Sequence, residues 1–352
     1  MSGDDSATAV DTDGDPQAVY DALHEEAGRV LVGNDDVIEH LTISILTRGH
    51  VLLEGVPGIA KTTISELFAR ASGLDHRRIQ MTPDIVPADI TGTNIYRENL
   101  GEFELQRGPV FSNVVVADEI NRATPKTQSA LLEAMAERQV TIEGETLELP
   151  SPFMVVATQN PIEMEGVFEL PEAQRDRFQF KLRLDLPERI DERTLLDRFE
   201  SQPELGPENV EQAVSADDLL TAREAVTEVY IADAVREYVL DLVRATREHP
   251  DVEHGASPRA TLQFTTTTKA RAAIHGRSYV IPDDVKALAE SILTHRLVLN
   301  ADADLSGVDP ADVVTDVLET VDAPSAETDF DAAGEDVTFS EADVHEKQHN
   351  AS

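Results

Sequence analysis

The sequence predicts an α/β fold, a parallel sheet sandwiched by helices, followed by a smaller all-helical domain. Two observations carry this. Short apolar runs alternate with helical segments as far as Leu186, and beyond Pro187 the strand signal stops while helical periodicity continues. The runs are Val51–Glu54, Arg77–Met81, Val114–Asp118, Phe153–Thr158 and Phe178–Leu184. They are rich in Val and other apolar residues, as central strands buried on both faces require. Two stretches between them alternate like inserted hairpins: Thr93–Leu105, turning at Asn99-Leu100-Gly101, and Gln139–Leu149, turning at Glu143-Gly144. The later helices are expected at Asp217–Val229, Ala232–Arg247, Pro258–His275 and Pro282–His295, with Asp217 and Asp283 as starts. The expected boundaries are an acidic tail at 1–17, the sheet domain at 18–188, the helical domain at 189–321 and a second acidic tail at 322–352. Both tails hold too few large apolar side chains to offset their ordering entropy.

The chain has 352 residues, and 29 Lys+Arg against 68 Asp+Glu give a net charge of −39. So negative a molecule repels DNA, RNA and anionic membranes, so nucleic-acid binding would need a local basic channel. Lysine is confined to Lys61, Lys126, Lys181, Lys269, Lys286 and Lys347. An acid-rich, lysine-poor surface suits a high-salt interior, where the screening length shrinks to about 3 Å at 1 M and self-repulsion fades. The absence of cysteine excludes disulfides, Cys-ligated zinc, iron–sulfur clusters and thiol nucleophiles. No apolar stretch approaches the roughly 18 residues of a membrane span, and the N-terminus is acidic where a secretory signal is basic. The expectation is a soluble cytoplasmic protein with no membrane insertion.

The strongest chemical signal is Gly55-Val56-Pro57-Gly58-Ile59-Ala60-Lys61-Thr62, which follows an apolar run, continues into Thr63 and precedes a helical segment. It matches the phosphate-binding pattern G-x-x-x-x-G-K-[ST] except at Ala60, where glycine is usual. Glycines let the backbone aim N–H groups at phosphate oxygens, and the helix start adds its positive dipole end. Lys61 supplies a point charge for the β/γ-phosphates and Thr62 a hydroxyl for Mg²⁺. The extra methyl of Ala60 is expected to fit a negative φ. The run Val114–Asp118 then ends in Asp118-Glu119, two carboxylates at the carboxyl edge of the sheet, where open α/β sheets bind ligands. Asp118 is suited to Mg²⁺, and Glu119 to orienting and deprotonating an attacking water. A loose D-x-x-G at Asp89–Gly92 recurs in the acidic tail, and no N-K-x-D occurs, which favours ATP over GTP. Gln159-Asn160-Pro161 ends the next strand, so the Asn160 amide can reach the γ-phosphate or the water. No H-E-x-x-H spacing supports a metal other than Mg²⁺.

These segments, with RGPVF at 107–111, ADEINRATPKTQSALLEAMAE at 117–137, EGVFELPEAQRDRF at 165–178 and SPRA at 257–260, resemble the MoxR-type AAA+ ATPases from about Val32 to Leu297. Alanine before Lys61 is usual in that family. The resemblance implies that Asn160 is the sensor of the γ-phosphate and Arg259 a second sensor on the helical lid. It implies that Arg177 is an arginine finger acting on a neighbouring subunit, with Arg175 a departure that leaves the finger open between the two. Val32 and Gly33 resemble the lining of the adenine pocket, although Asn34 stands where Gln is usual. The hairpins resemble the helix-2 insertion and pre-sensor hairpin, which face the ring pore in related machines; as mere sheet elaborations they would have no such role. The second carries Glu143, Glu145 and Glu148 and no aromatic–basic interleaving. The expected function is ATP hydrolysis by a homo-oligomeric, hexameric ring that remodels protein clients, as in chaperone-like maturation or metal-cofactor insertion, with a von Willebrand A domain protein as a frequent companion. A DNA-acting motor of the related helicase and chelatase branch and a nonhydrolysing ATP-binding switch are the rivals.

Overall fold

The computed structural model describes residues 12–99, 101–161, 166–202, 204 and 206–324. Most of both expected tails, and Leu100 of the first hairpin turn, lie outside these residues. Helices α1 (Pro16–Gly28) and α2 (Asp35–Leu46) precede strand β1 (Val51–Glu54), and α3 (Lys61–Ala71) and β2 (His76–Gln80) follow it. After the short α4 (Pro87–Thr91) comes the first hairpin, β3 (Gly92–Arg97) with β4 (Glu102–Arg107). Then follow β5 (Val114–Asp118), α5 (Pro125–Glu137), the second hairpin β6 (Gln139–Ile142) with β7 (Glu145–Glu148), and β8 (Met154–Gln159). The short α6 (Glu172–Arg175) leads to β9 (Phe180–Arg183), which closes the sheet domain. The helical part consists chiefly of α7 (Arg189–Ser201), α8 (Ala216–Thr227), α9 (Asp233–Glu248), α10 (Pro258–Ile274), α11 (Pro282–Leu293), α12 (Ala301–Ser306) and α13 (Pro310–Thr320).

The main sheet has the order β2-β5-β8-β1-β9 and every pairing is parallel. Alternate side chains of its central strands enter two cores. Val51, Leu53, Val114, Val116 and Val156 face one cluster, and Leu52, Val115, Ala117, Val155 and Ala157 face the other. This period of two with both faces covered explains why the strands read as continuous apolar runs. The first cluster extends without a break through α1, α2 and α3 into Val239, Phe264, Leu288 and Val313 of the helical part.

Two expectations are corrected. The N-terminal tail ends earlier than residue 17: Thr12 is buried, Asp15 caps α1 through the Ala18 N–H, and Val19, Leu23 and Ala27 form an apolar stripe in the core. The start of α8 is set by Ser215, not Asp217, because the Ser215 hydroxyl accepts from the Asp218 N–H and the Asp218 carboxylate accepts in return.

Candidate functional site

A cavity of about 390 Å³ opens at the carboxyl edge of the sheet, lined by the loop from Pro57 to Thr63 and by Asp118, Glu119 and Asn160. The loop leaves β1 and enters α3, and no side chain caps that helix, so its first N–H groups face the cavity. Gly58 sits at φ +88°, a left-handed conformation that glycine adopts freely. Gly55 is required by close packing, since a Cβ there would lie 2.7 Å from the Leu184 carbonyl oxygen. Ala60 does not have the negative φ expected of it. It lies at φ +64°, in the left-handed region where its methyl group is strained.

Lys61 donates from its ammonium to the carbonyl oxygens of Gly55 and Val56, the latter at 3.2 Å. Burial pushes its pKa down, against the opposing pull of Asp118, Glu119 and Glu54. Across the cavity, Asp118 Oδ1 accepts from the Thr158 hydroxyl at 2.6 Å and the Thr62 hydroxyl at 3.4 Å, and Oδ2 pairs with Arg78 at 2.5 Å. Two adjacent hard oxygen donors, Thr62 Oγ1 and Asp118 Oδ1, suit Mg²⁺ at this position. Glu119 stands at φ +57°, with its N–H on Thr158 Oγ1 at 2.9 Å. Its Oε2 accepts from Gln80 at 2.9 Å and Arg122 at 2.8 Å. Asn160, buried just beyond β8, completes the lining.

Sequence pattern does not reveal Arg78, Gln80 and Thr158 as partners of the two carboxylates, because β2 and β8 flank β5 only through sheet order, whereas Arg122 is a local partner, three residues after Glu119. Gln80 lies opposite Asp118 in the β2–β5 register, and that register brings its amide to Glu119.

Arg177 and Arg259 lie elsewhere. They line a second cavity, of about 260 Å³, together with Arg48, His50 and Arg138. Arg48 and His50 precede β1, whose four residues span about 13 Å before the phosphate loop begins. Arg177 likewise precedes β9, parallel to β1, so the arginines sit at the amino edge and Lys61 at the carboxyl edge. Arg259 approaches Asp176 at 4.0 Å, while Asp176 is held by Arg296 at 2.8 Å. Arg175 does not line this cavity.

Val32 and Gly33 are not in the lining of the Lys61 cavity. They connect α1 to α2, with Gly33 against Asp191 of α7. Beside them is an apolar groove of about 530 Å³ lined by Val30, Pro187, Leu195, Leu196 and Phe199. Leu184, which packs on Gly55 of the phosphate loop, lies three positions before the groove residue Pro187. Among the described residues no helix is long and apolar enough to cross a membrane, and no group of three or more His, Asp or Glu side chains could hold a metal.

Residues 50–180 match the ATPase family associated with various cellular activities, and residues 244–317 match the AAA lid domain. Chaperone MoxR1 of Mycobacterium tuberculosis is 46% identical over 308 residues, covering 85% of this chain and 81% of the relative. Protein MoxR of Methylorubrum extorquens is 32% identical over 330 residues, covering 86% and 94%. A crystal structure from Cytophaga hutchinsonii, of a protein assigned as an ATPase, superimposes with a TM-score of 0.81 at 40% identity, covering 89% of this chain and 98% of that one.

Proposed function

The chain belongs to the MoxR-type AAA+ ATPases, and from that premise we propose that it hydrolyses ATP to ADP and phosphate in a ring that remodels protein clients. The observation that carries the reading is the single cavity in which an uncapped helix start, Lys61, Thr62, Asp118, Glu119 and Asn160 converge. The loop from Gly55 to Thr63 wraps the phosphates, with N–H groups and the Lys61 ammonium opposing their charge. Thr62 and Asp118 would hold Mg²⁺, which would supply positive charge against the negative charge of the phosphates. Both donors to Glu119 fall on Oε2, so its other oxygen can orient the water, accept its proton and direct the attack on the γ-phosphorus. The Asn160 amide reads the γ-phosphate, and Val32 and Gly33 border the groove that takes the adenine ring.

Arg177 and Arg259 face away from the nucleotide of their own chain, so they act as finger and second sensor on an adjacent subunit, in a ring of six. The client is a protein. The second hairpin presents Glu143, Glu145 and Glu148 to solvent, which opposes a polyanion. The first presents Tyr96 and Phe103 as a ring pair 5.2 Å apart, and its Arg97 is neutralised by Glu104 at 2.5 Å. Kinship supports a companion with a von Willebrand A domain, metal-cofactor insertion or complex maturation as the task, and a cytoplasmic location. The deciding measurement is phosphate release by a Glu119→Gln variant in high salt. Turnover is expected to fall about 10²-fold or more while ATP binding persists; turnover equal to that of the unaltered protein would remove the hydrolytic reading.

A further inference from the structure

In a chain this acidic an arginine has carboxylates within reach, and ten of the 23 arginines pair with one among the described residues. Arg29 pairs with Glu26, Arg97 with Glu104, Arg236 with Asp233, Arg277 with Asp284 and Arg296 with Asp176. The amino-edge cavity gathers arginines with one another instead. Arg48, Arg138, Arg177 and Arg259 all line it, and no carboxylate does among the described residues. Arg48, Arg138 and Arg177 make no ion pair among those residues, and Arg259 has only the long contact to Asp176, which is already committed to Arg296.

The cluster is held in place by the backbone. Arg48 and Arg138 both adopt the left-handed conformation, at φ +60° and +53°, and Arg138 Nη2 donates to the Arg48 carbonyl at 3.1 Å. Such strain gathers where function requires a fixed geometry. The like charges are felt nearby. Burial first, and then the charges of Arg48 and Arg138, push the pKa of buried Arg223 down to about 10. Arg223 itself is anchored to the Ile45 carbonyl at 2.7 Å. Crowded guanidinium groups with no internal counter-charge require an anion from outside, and their planar forks match phosphate oxygens.

We infer that Arg48 and Arg138 join Arg177 and Arg259 in a four-arginine receptor for the terminal phosphates of ATP bound to an adjacent copy of this chain. The inference rests on the ring ATPase reading. Arg177 and Arg259 are the two members expected from kinship; Arg48 and Arg138 are assigned by the cavity. They spread negative charge over more donors as the terminal phosphoryl group departs, a role exercised only across the subunit boundary.

Subunit mixing tests this in full-length protein. Arg48→Gln and Arg138→Gln variants should each lose about 10-fold or more in turnover while their own ATP affinity stays within about 2-fold, because each retains an intact phosphate loop. Arg48 is exposed, so its variant keeps the test valid if the partly buried Arg138 variant folds poorly. Mixed with an inactive Lys61→Ala chain, each should regain turnover above the sum of the two parents, since some boundaries then pair an intact loop with intact arginines. An Arg177→Gln and Lys61→Ala mixture is the control, and its failure to recover would remove the ring reading and this inference with it. Recovery in that control alone, or full activity in the Arg48 and Arg138 variants, would overturn the four-arginine receptor while leaving the ring intact. Loss of assembly without nucleotide, at unchanged turnover per ring, would assign the cluster to carboxylates of the neighbouring surface and also overturn it.

Discussion

Ala60 shows how much a single methyl group constrains the phosphate loop. The backbone before α3 must turn through the left-handed region, where an L-residue with a Cβ pays about 1 kcal/mol or more and glycine pays none. An Ala60→Gly variant should therefore gain about 1 kcal/mol of stability, less what glycine's greater freedom in the unfolded chain returns. Urea titration checks this, and an unchanged or lowered midpoint would mean that the alanine sits without strain. The loop itself was legible in the sequence because its chemistry is carried by the backbone, and backbone shape is written in glycines and in the lysine that follows them. The conformation of Ala60 was not, because the fit of its methyl depends on a φ that neighbouring structure imposes. The partners of the two carboxylates were illegible for another reason. Arg78 and Gln80 reach Asp118 and Glu119 only because β2 lies beside β5, and lateral strand order is not a local property.

The elements that position the lid are tied to the sheet by charge as well as by packing. Asp284 of α11 is fully buried and takes Arg271 at 2.8 Å and Arg277 at 2.6 Å, while Arg271 also reaches Glu39 of α2 at 2.9 Å. The same carboxylate accepts the Ile281 N–H at 3.0 Å at the start of α11. Removing one partner of a buried ion pair leaves the other charge uncompensated, which typically costs about 3–5 kcal/mol. Asp284→Asn should cost about 3 kcal/mol, and the continuous core means that sheet and lid should lose their structure in one urea transition. A separate early transition of the lid would contradict that coupling. The helices α8 to α11 were readable from their apolar periodicity. What periodicity could not reveal is which face of the sheet domain they pack on, because that depends on their packing with α1, and contact between helices so far apart in sequence is not a local property. Helix α1 packs against both α8 and α10, the helix that carries Arg259 near its start.

At the scale of the whole molecule, two electrostatic effects compete, and they separate by their response to salt. The net charge of −39 makes the folded state repel itself, and raising salt from 0.1 M to 1 M shortens the screening length from about 10 Å to about 3 Å. Stability should therefore rise with KCl at any pH near neutrality. The second effect is buried. His50 accepts the Val155 N–H on Nδ1 at 3.0 Å and donates from Nε2 to the Met135 carbonyl at 3.2 Å, so the neutral ring is fully used. Burial, reinforced by Arg138 and Arg259, pushes its pKa down to about 4. Burial acts in the same direction on His40 and His295. The unfolded imidazole binds its proton near pH 6.5, before the folded one, so this stability is present above pH 6.5 and drains away as the pH falls towards 4. For His50 alone the loss between pH 7 and pH 5 is about 2 kcal/mol. Over the same interval a fraction of the 68 carboxylates, whose ordinary pKa values lie near 4, take up protons, which eases self-repulsion and works against the acid loss, most strongly at low salt. Urea midpoints at pH 7 and pH 5, each in 0.2 M and 2 M KCl, separate the effects. Salt should raise both midpoints and leave the acid loss in place, because mobile ions do not reach a buried ring, and His50→Gln should shrink that loss by about 2 kcal/mol. An acid loss erased by 2 M KCl would place its origin on the charged surface rather than in the buried imidazoles.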